Sequence, residues 1–231
     1  MSDRSIADLR RDYQQSVLDE THVATDPITQ FEAWFSDAES AACPEPNAMT
    51  LATVDPAGAP SARIVLLKGV DERGFQFFTN RESRKGRELA VTPRGCLVFW
   101  WAEVERQVRI EGWVEPLNRL EDDAYFRSRP RGSQVGAWVS QQSRPITSRR
   151  TLEQLASDRE REFAEQPEVP RPPHWGGFLV RPTAVEFWQG RSSRLHDRLV
   201  FELTEESGAS GDPTRLDDLR AATWTLRRLQ P

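Results

Sequence analysis

The sequence predicts a mainly β protein with flanking helices (α+β), in which antiparallel strands form a closed barrel or a sandwich. Short runs rich in β-branched and aromatic residues recur along the chain, as in AMTLATVD at 48–55 and SARIVLLK at 61–68. The segments between the early runs, DPAGAP and VDERG, carry the Asp, Pro and Gly residues of tight turns. Strands joined by tight turns pair antiparallel, and so many of them in one chain favour a barrel or a sandwich.

Two helices are expected before the first strand. Apolar residues recur at helical spacing near the start, which predicts an N-terminal helix within 1–20. These residues are Ile6, Leu9, Tyr13 and Val17. A second helix is predicted to start at Asp26, an N-cap that is followed by proline at the first helical position. Its buried face is expected to comprise Ile28, Phe31, Trp34 or Phe35, and Ala38.

The rest of the chain alternates strands and helices. Further strands are predicted at 75–79, 96–101, 105–114, about 177–188, 194–202 and 222–229. Helices are predicted near 83–92, 119–128, 131–139 and 148–165. The segment 204–219 is polar and contains Gly, Ser and Pro, which predicts a flexible hairpin insertion in a single domain spanning 1–231.

Composition and charge argue against several classes of protein. With 231 residues, of which 37% are hydrophobic, the chain is long enough for one substantial domain or for two small ones. The formal net charge of −5 offers no general attraction to nucleic acid or to a membrane surface, and no apolar run approaches the ~20 residues that span a bilayer. Two cysteines and three scattered histidines predict neither a disulfide framework nor a metal site. The charged N-terminus lacks a secretory signal, so a cytoplasmic protein is expected.

Local clusters of positive charge nevertheless predict anion sites. In the strand 61–68, alternation places Arg63 and Lys68 on opposite faces, roughly 16–17 Å apart. One small phosphate cannot easily satisfy both, so they indicate either two ligands or two solvated strand ends. In SRKG, Ser83 is a plausible N-cap, and Arg84 and Lys85 occupy the first helical turn, where free N–H groups attract anions. A solvated run of charges is the alternative explanation there.

A third cluster lies in YFRSRPRGSQVGAW at 125–138. Arg127, Arg129 and Arg131 fall close together in a predicted helix–helix turn, where they would repel one another without a counter-ion. Tyr125 and Ser133 add neutral donors. This mixture of donors is suited to one phosphate dianion.

The motifs of several common enzyme classes are missing from the sequence. Neither G-x-G-x-x-G nor G-x-x-x-x-G-K-[ST] occurs, which argues against a dinucleotide-binding loop or a P-loop. The G-x-S-x-G elbow of hydrolases is missing too. Any catalysed reaction is therefore expected to depend on a bound organic cofactor.

Ten ordered motifs resemble those of the pyridoxamine 5′-phosphate oxidases. They are RIVLLK (63–68), FFTN (77–80), SRK (83–85), RQV (106–108), SRPRGSQ (128–134), QQS (141–143), WGG (175–177), EFWQG (186–190), RLHDR (194–198) and the terminal RLQP. The resemblance implies a split β-barrel homodimer that binds FMN in two clefts at the subunit interface.

The resemblance also implies ligand positions. Those for FMN are Arg63, Ile64, Val65, Leu66, Leu67, Lys68, Phe78, Thr79, Arg84, Lys85, Gln107, Gln142, Ser143, Trp188 and Arg198. Those for a phosphorylated substrate are Arg10, Tyr13, Lys68, Tyr125, Arg129, Ser133, Arg194 and His196. Arg10 and Tyr13 would belong to an N-terminal lid, whereas Arg194 and His196 are the expected catalytic residues beside the pyridine ring. Asp197 is expected either to orient Arg198 or to form a surface salt bridge.

The implied reaction is oxidation of pyridoxine or pyridoxamine 5′-phosphate to pyridoxal 5′-phosphate, with hydride transfer to FMN. Dioxygen would reoxidise the flavin and give hydrogen peroxide, and the amine substrate would release ammonia. Two alternatives stay open: a related FMN oxidase that acts on a phenazine precursor, and a non-catalytic protein that binds flavin or pyridoxal phosphate. The cluster of Tyr125, Arg129 and Ser133 favours a phosphorylated substrate over a phenazine.

Overall fold

A computed structural model of the protein describes residues 5, 6, 9, 12–204 and 218–231. The strands in this part of the chain are β1 (Ala48–Val54), β2 (Pro60–Leu66), β3 (Gly69–Asp71), β4 (Gly74–Asn80), β5 (Arg94–Trp101), β6 (Arg106–Pro116), β7 (Trp175–Gln189), β8 (Asp197–Leu203) and β9 (Trp224–Arg228). The helices are α1 (Pro27–Ser40), α2 (Arg84–Val91), α3 (Arg119–Ser128), α4 (Arg131–Val139) and α5 (Arg149–Phe163), and a 3₁₀ turn covers Ser192–Arg194. Among these helices, none is long and apolar enough to cross a bilayer.

The strands form one sheet with the order β2-β1-β5-β6-β7-β4-β3, and β8 pairs with both β7 and β9. The pairs β3–β4, β4–β7, β7–β8 and β8–β9 are antiparallel. The long strand β7 pairs with β4 along Trp175–Val180 and with β8 along Ala184–Gln189. The predicted antiparallel, mainly β architecture with flanking helices is confirmed.

The chain divides into two compact units, which are described in turn. The first unit comprises Met1–Met49, Leu97–Glu111 and Pro182–Pro231, and the second unit comprises Thr50–Cys96 and Gly112–Arg181. The expectation of a single domain over 1–231 therefore stays an expectation.

In the first unit, α1 begins where the sequence predicts. Asp26 has extended backbone geometry, and its carboxylate accepts a hydrogen bond of 2.8 Å from the N–H of Thr29. Pro27 stands in the first turn, where its missing N–H costs no helical hydrogen bond. The residues that α1 buries include the four predicted positions Ile28, Phe31, Trp34 and Ala38.

Aromatic packing fixes α1 within the first unit. The ring of Phe31 lies 5.1 Å from that of Phe99, and the ring of Trp34 lies 5.2 Å from that of Phe187, both measured between centroids. Phe31, Phe99 and Phe187 are fully buried. Truncating one such ring to alanine costs about 3–5 kcal/mol, so this aromatic core contributes strongly to the stability of the unit.

The helix predicted within 1–20 is wrong for residues 12–19. Residues 12–19 have no helical structure. The apolar side chains of the expected buried face are exposed at Ile6, Leu9 and Val17. The backbone N–H groups of residues 14, 15 and 18 donate instead to the carboxylates of Glu105 and Asp197. Because side chains remote in sequence satisfy these donors, the segment does not need helical hydrogen bonds.

In the second unit, the four predicted helices are confirmed with ends that differ by at most two residues. The short strand β3 was not predicted, because residues 70 and 71 belong to the segment VDERG, which was predicted as a turn. The strand predicted over 61–68 ends at Leu66, and the backbone N–H of Lys68 then bonds to the carbonyl of Gln76 at 2.8 Å.

Two differences from the predicted secondary structure also arise in the first unit. The strand predicted over 194–202 begins only at Asp197, after the 3₁₀ turn, and most of the predicted insertion, 205–217, lies outside the described residues.

Two adjacent glycines at the start of β7 allow an ion pair and an aromatic ring to pack closely in the second unit. A Cβ atom on Gly176 would lie 2.6 Å from Oδ2 of Asp122, and one on Gly177 would lie 2.7 Å from Cε1 of Phe78. Asp122 is buried, accepts the N–H of Gly177 at 2.7 Å and pairs with Arg81 at 3.0 Å. Any larger residue at either position would have to displace these groups, which explains the glycines of the WGG motif.

Candidate functional site

A cavity of about 550 Å³ in the second unit brings together residues from several predicted ligand sites. The cofactor positions that line it are Ile64, Val65, Leu66, Lys68, Phe78, Thr79, Lys85 and Gln142. The substrate positions that line it are Lys68, Tyr125, Arg129 and Ser133. The two sets of positions therefore share one cavity rather than two separate pockets.

Lys85 places a buried ammonium group at the wall of this cavity. Its side chain is 8% exposed, and Nζ lies 3.2 Å from Oγ1 of Thr79 and 3.1 Å from Oε1 of Gln142. Burial lowers the pKa of Lys85, and the nearby charge of Arg63 lowers it further. A lysine that is costly to charge in the absence of an anion gains strongly from a phosphate beside it.

Two backbone N–H groups at the start of α2, next to Lys85, bond to serine side chains. Ser83 caps the helix by accepting from the N–H of Gly86 at 3.3 Å. The N–H of Arg84 donates to Oγ of Ser143 at 3.1 Å, so the QQS segment meets the helix N-terminus here. Ser143 has a positive φ of 73°, which turns the chain sharply at this point.

Glu88 is a site residue that the sequence interpretation missed. Its buried carboxylate binds two arginines that were expected to contact FMN, Arg63 at 3.3 Å and Arg84 at 2.7 Å. Burial by itself would raise the pKa of Glu88, but hydrogen bonds from Thr53 and Arg84 outweigh burial and lower it. The spacing of four residues between Arg84 and Glu88 on a helix was the available signal. Glu88 holds both guanidinium groups in fixed positions.

Arg129 is the guanidinium of the third cluster that reaches the cavity. It lies over the ring of Trp175, with Cζ 4.6 Å from the centroid. Its Nη1 atom is buried and has no hydrogen-bond partner among the described residues. Burial lowers the pKa of the Arg129 guanidinium. A buried, cationic donor without an acceptor is what an anionic ligand would satisfy.

The expectation that three arginines converge on one phosphate is wrong. Arg131 donates from Nη2 to the carbonyl oxygens of Phe163 and Gln166, at 2.6 and 3.0 Å, and so binds the C-terminal end of α5. Arg127 is exposed and lies outside the residues that line this cavity. Only Arg129 turns inward, because it ends α3 with extended backbone geometry.

Stacked aromatic rings form one side of the cavity. Tyr125 stacks on Phe78 with a centroid distance of 3.9 Å and an interplanar angle of 22°. Phe78 also stacks on Trp175 at 5.5 Å. These rings give the cavity a flat, apolar surface beside its cations, as aromatic ligands require.

The remaining predicted residues lie in the first unit, where Glu186 organises Arg198. Arg198 donates from Nε and Nη2 to the two carboxylate oxygens of Glu186, at 3.1 and 2.9 Å. Arg109 donates to the same carboxylate at 2.7 Å. Burial would raise the pKa of Glu186, but the hydrogen bond from Arg198 and the charge of Arg109 outweigh burial and lower it. Glu186 orients Arg198, whereas Asp197, which was expected either to do so or to form a surface salt bridge, pairs with Arg191 and Arg228.

His196 has a defined tautomer in the first unit. The backbone N–H of Arg191 donates to its Nδ1 at 3.1 Å, so in the neutral ring the proton resides on Nε2. Burial lowers the pKa of His196, and the charge of Arg194 contributes. The ring also lies 4.5 Å from that of Trp188 and 5.9 Å from that of Tyr13. This arrangement makes Nε2 a hydrogen-bond donor at neutral pH.

We expect His196 to titrate below pH 6.5 in the folded protein. Protonation is disfavoured because it would place a charge on a half-buried ring near Arg194 and would remove the Nδ1 acceptor. Histidine proton resonances followed by NMR against pH would measure this, with His196→Gln to assign the signal. The variant Arg194→Ala should move the midpoint upward. A midpoint above 6.5 in the unmodified protein would contradict the prediction.

The structure describes three of the four remaining predicted positions. Arg194 is exposed in the 3₁₀ turn and has a positive φ of 62°. Gln107 is half-buried on β6. Arg10 lies outside the described residues. Leu67 is buried just after β2. On a separate point, the described residues contain no cluster of His, Cys, Asp or Glu that could hold a metal ion.

Comparisons with protein families match most of the chain. Residues 35–162 match the family model described as pyridoxamine 5′-phosphate oxidase. Residues 175–231 match the model described as the pyridoxine 5′-phosphate oxidase C-terminal dimerisation region.

Two curated relatives with high identity carry the same name. The chain is 61% identical over 198 residues to a pyridoxine/pyridoxamine 5′-phosphate oxidase of Cupriavidus necator, an alignment that covers 86% of this chain and 92% of that protein. It is 54% identical over 229 residues to a protein of the same name from Trichormus variabilis, covering 99% and 100% of the two chains.

Solved structures show the same architecture. PhzG from Burkholderia lata, in complex with tetrahydrophenazine-1-carboxylic acid, is 31% identical with a TM-score of 0.80 over 93% of this chain and 98% of that chain. An FMN-binding protein from Nostoc punctiforme, related to pyridoxamine 5′-phosphate oxidase, has a TM-score of 0.67 at 15% identity and covers 90% and 100% of the two chains. The second likeness shows the fold alone. The predicted split-barrel fold is confirmed.

Proposed function

Because the chain belongs to the pyridoxamine 5′-phosphate oxidase family, we propose that it oxidises pyridoxine and pyridoxamine 5′-phosphates to pyridoxal 5′-phosphate with FMN as its cofactor. Dioxygen is the electron acceptor, hydrogen peroxide is a product, and the amine substrate also yields ammonia. The observation that carries this proposal is the cavity of the second unit, which is lined by Arg129, whose buried Nη1 has no partner among the described residues, by the buried ammonium of Lys85 and by a stack of aromatic rings.

The residues around Lys85 fit the phosphate of FMN. Lys85 contributes a buried ammonium, and Arg63 and Arg84 contribute guanidinium groups fixed by Glu88. The three cations and one carboxylate leave two positive charges, which matches a phosphate dianion. Thr79, Gln142 and Ser143 are proposed to bind the neighbouring part of the cofactor.

Arg129 fits the phosphate of the substrate. Its guanidinium can present two parallel donors to a phosphate, and Tyr125 and Ser133 line the same cavity with hydroxyl groups. Lys68 lines this cavity too and supplies a second cation. A substrate without phosphate would leave Arg129 buried and unsatisfied, which disfavours the phenazine alternative. The higher identity to the pyridoxine/pyridoxamine 5′-phosphate oxidases than to PhzG also supports a phosphorylated substrate.

The protein's part in the reaction is to bind the substrate and the cofactor and to orient them. When bound, FMN would supply the redox chemistry of hydride transfer from the substrate and of reoxidation by dioxygen. His196 can donate a hydrogen bond from Nε2 to the substrate, because Nδ1 is already occupied by the N–H of Arg191. Arg194 is proposed to cover the pyridine ring, since a planar cation is attracted to the face of an aromatic ring. These groups would hold the reacting carbon in the geometry that transfer needs.

One spectroscopic experiment tests cofactor and reaction together. The purified protein should be yellow, and its flavin bands should bleach when pyridoxamine 5′-phosphate is added without oxygen. Admission of air should restore the bands and produce peroxide. A protein that takes up FMN but whose bands do not change with either phosphorylated substrate would be a binding protein, and a protein that takes up no FMN would refute the proposal.

We expect Arg194→Ala to lower kcat/KM for pyridoxine 5′-phosphate by about 100-fold or more, because the group that orients the substrate ring is lost. FMN content should not change. Steady-state kinetics and the flavin-to-protein absorbance ratio measure the two effects, and Ser192→Ala in the same 3₁₀ turn is the matched control. Unchanged kinetics in Arg194→Ala would remove this residue from the mechanism.

The protein is also proposed to form a homodimer. The C-terminal model that matches 175–231 is described as a dimerisation region. Light scattering coupled to gel filtration should give twice the 26.4 kDa of one chain. A mass equal to one chain at micromolar concentration would contradict the dimer.

A further inference from the structure

Segment 12–18, which precedes α1, is attached to the first unit through a buried carboxylate. The backbone N–H groups of Gln14 and Gln15 both donate to Oε2 of Glu105, at 2.9 and 3.1 Å. Glu105 is only 4% exposed. One carboxylate oxygen that accepts from two consecutive backbone amides forms charge-assisted bonds, which are about twice as strong as neutral ones.

Glu105 is itself held firmly. It has a positive φ of 54°, in the turn between β5 and β6. Its carbonyl oxygen accepts from the N–H of Gly190 at 2.8 Å and from Nε2 of Gln189 at 3.2 Å. The backbone of Glu105 is thus bonded to the end of β7, while its carboxylate holds segment 12–18. A rare backbone geometry kept at a buried acidic residue is often associated with function.

A second carboxylate holds the other end of the segment. The N–H of Leu18 donates to Oδ2 of Asp197 at 3.2 Å. Asp197 is in turn paired with Arg191 at 3.3 Å and with Arg228 at 2.8 Å. Asp197 follows His196 directly, so the segment is anchored beside the histidine.

Tyr13 lies next to these anchors and packs against the residues expected to face the substrate ring. Its ring contacts Trp188 and His196 edge-on, each at 5.9 Å between centroids, and Trp100 at 6.4 Å. A Cβ atom on Gly190 would lie 2.7 Å from Cγ of Tyr13, so this glycine leaves the space that the tyrosine fills. The position of Tyr13 therefore depends on the backbone of residues 14 and 15, which Glu105 fixes.

We propose that Glu105 is a positioning residue for the oxidation: its carboxylate holds segment 12–18 so that Tyr13 packs against His196 and Trp188. This inference rests on the proposed function, because it assigns Tyr13 and His196 to the substrate side of the site. Glu105 acts through Tyr13 and does not itself contact the substrate. Loss of the carboxylate releases the segment, which weakens substrate binding and leaves the flavin in place.

The kinetic test is a double-mutant cycle. Glu105→Ala should raise KM for pyridoxine 5′-phosphate by about 10- to 100-fold, the range expected for losing charge-assisted bonds, with FMN content unchanged. In the Tyr13→Ala background, the same substitution should change KM less than about twofold, because both changes disable one arrangement. Effects that multiply would show that Glu105 acts independently of Tyr13 and would overturn the proposal. Glu103→Ala, an exposed acid two residues away, is the control and should leave KM unchanged.

A second readout does not depend on catalysis. Hydrogen exchange at the amides of Gln14 and Gln15 should accelerate at least about tenfold in Glu105→Ala, since their acceptor is gone. Glu105→Gln keeps an acceptor without the charge and should give an intermediate rate, which provides the test if the alanine variant folds poorly. Unchanged exchange in both variants would overturn the proposal. If exchange accelerates but the unmodified protein oxidises neither substrate, the anchor is real and the proposed function has failed.

Discussion

Arg129→Ala should lower kcat/KM for pyridoxine 5′-phosphate by about 100- to 1,000-fold, mainly through a higher KM, because two charge-assisted hydrogen bonds to the substrate phosphate are lost. The guanidinium lies over Trp175, and its buried Nη1 has no hydrogen-bond partner in the described part of the chain. In the free protein this group is therefore costly to bury, and removing it should not lower the melting temperature. Steady-state kinetics and thermal unfolding measure the two effects.

The same sequence cluster provides the control. Arg127→Ala removes an equal charge two residues away, but Arg127 is exposed and does not line the cavity. It should change kcat/KM by less than about threefold, which is what a distant, screened charge can contribute. Arg129→Lys should be intermediate, since lysine keeps the charge and loses the planar fork. Equal losses in Arg127→Ala and Arg129→Ala would indicate general electrostatic attraction rather than a phosphate site.

Lys85→Ala should raise the dissociation constant for FMN by about 100-fold, because an ion pair with phosphate in a buried site is lost. The variant should emerge from gel filtration without yellow colour, and titration of the apoprotein with FMN, followed by flavin fluorescence, gives the constant. Arg87→Ala is the matched control, since Arg87 lies on the same helix and is exposed. A fully flavinated Lys85→Ala protein would contradict the role given to Lys85.

The pH dependence of FMN binding follows from the same group. Burial lowers the pKa of Lys85 below its usual 10.5, so the folded apoprotein loses this proton at a lower pH than the unfolded chain. The unfolded state binds more protons between the two pKa values. The buried ammonium therefore destabilises the folded apoprotein most below this pH window, and the free energy of unfolding rises as the pH increases through it. Affinity for the phosphate of FMN, which needs the ammonium, should begin to fall as the pH rises through the lowered pKa of Lys85 in the apoprotein. Lys85→Ala should lack this alkaline loss of affinity.

Local patterns in the sequence predicted most of the secondary structure. Asp26 and Pro27 start α1 where capping preferences place it, because an N-cap acts through residues three positions away. The ends of α3 and α4 agree with the prediction as well; Asn118 caps α3 together with Glu121, whereas α4 begins after Pro130 without a side-chain cap. The prediction of an N-terminal helix failed because the spacing of apolar residues does not reveal contacts with Glu105 and Asp197. Their carboxylates accept hydrogen bonds from the backbone N–H groups of residues 14, 15 and 18.

The site was predicted in part. Lys85, Arg129 and Tyr125 meet in one cavity, and motifs along the chain had placed all three at ligand positions. The convergence of Arg127 and Arg131 with Arg129 was wrong, because a run of charges does not show which side chains turn inward. Glu88 and Glu105 were missed altogether, since an acidic residue in a polar stretch resembles any solvated charge.

The sequence by itself determined the antiparallel β class, the boundaries of α2 to α5 to within two residues and the residue types suited to phosphate, because these depend on neighbours along the chain. Only the tertiary structure decided that Nη1 of Arg129 is buried with no partner among the described residues, that Glu88 holds Arg63 and Arg84, and that Glu105 holds the N-terminal segment. The physical reason is that desolvation and hydrogen-bond satisfaction are set by groups that are distant in sequence and close in space.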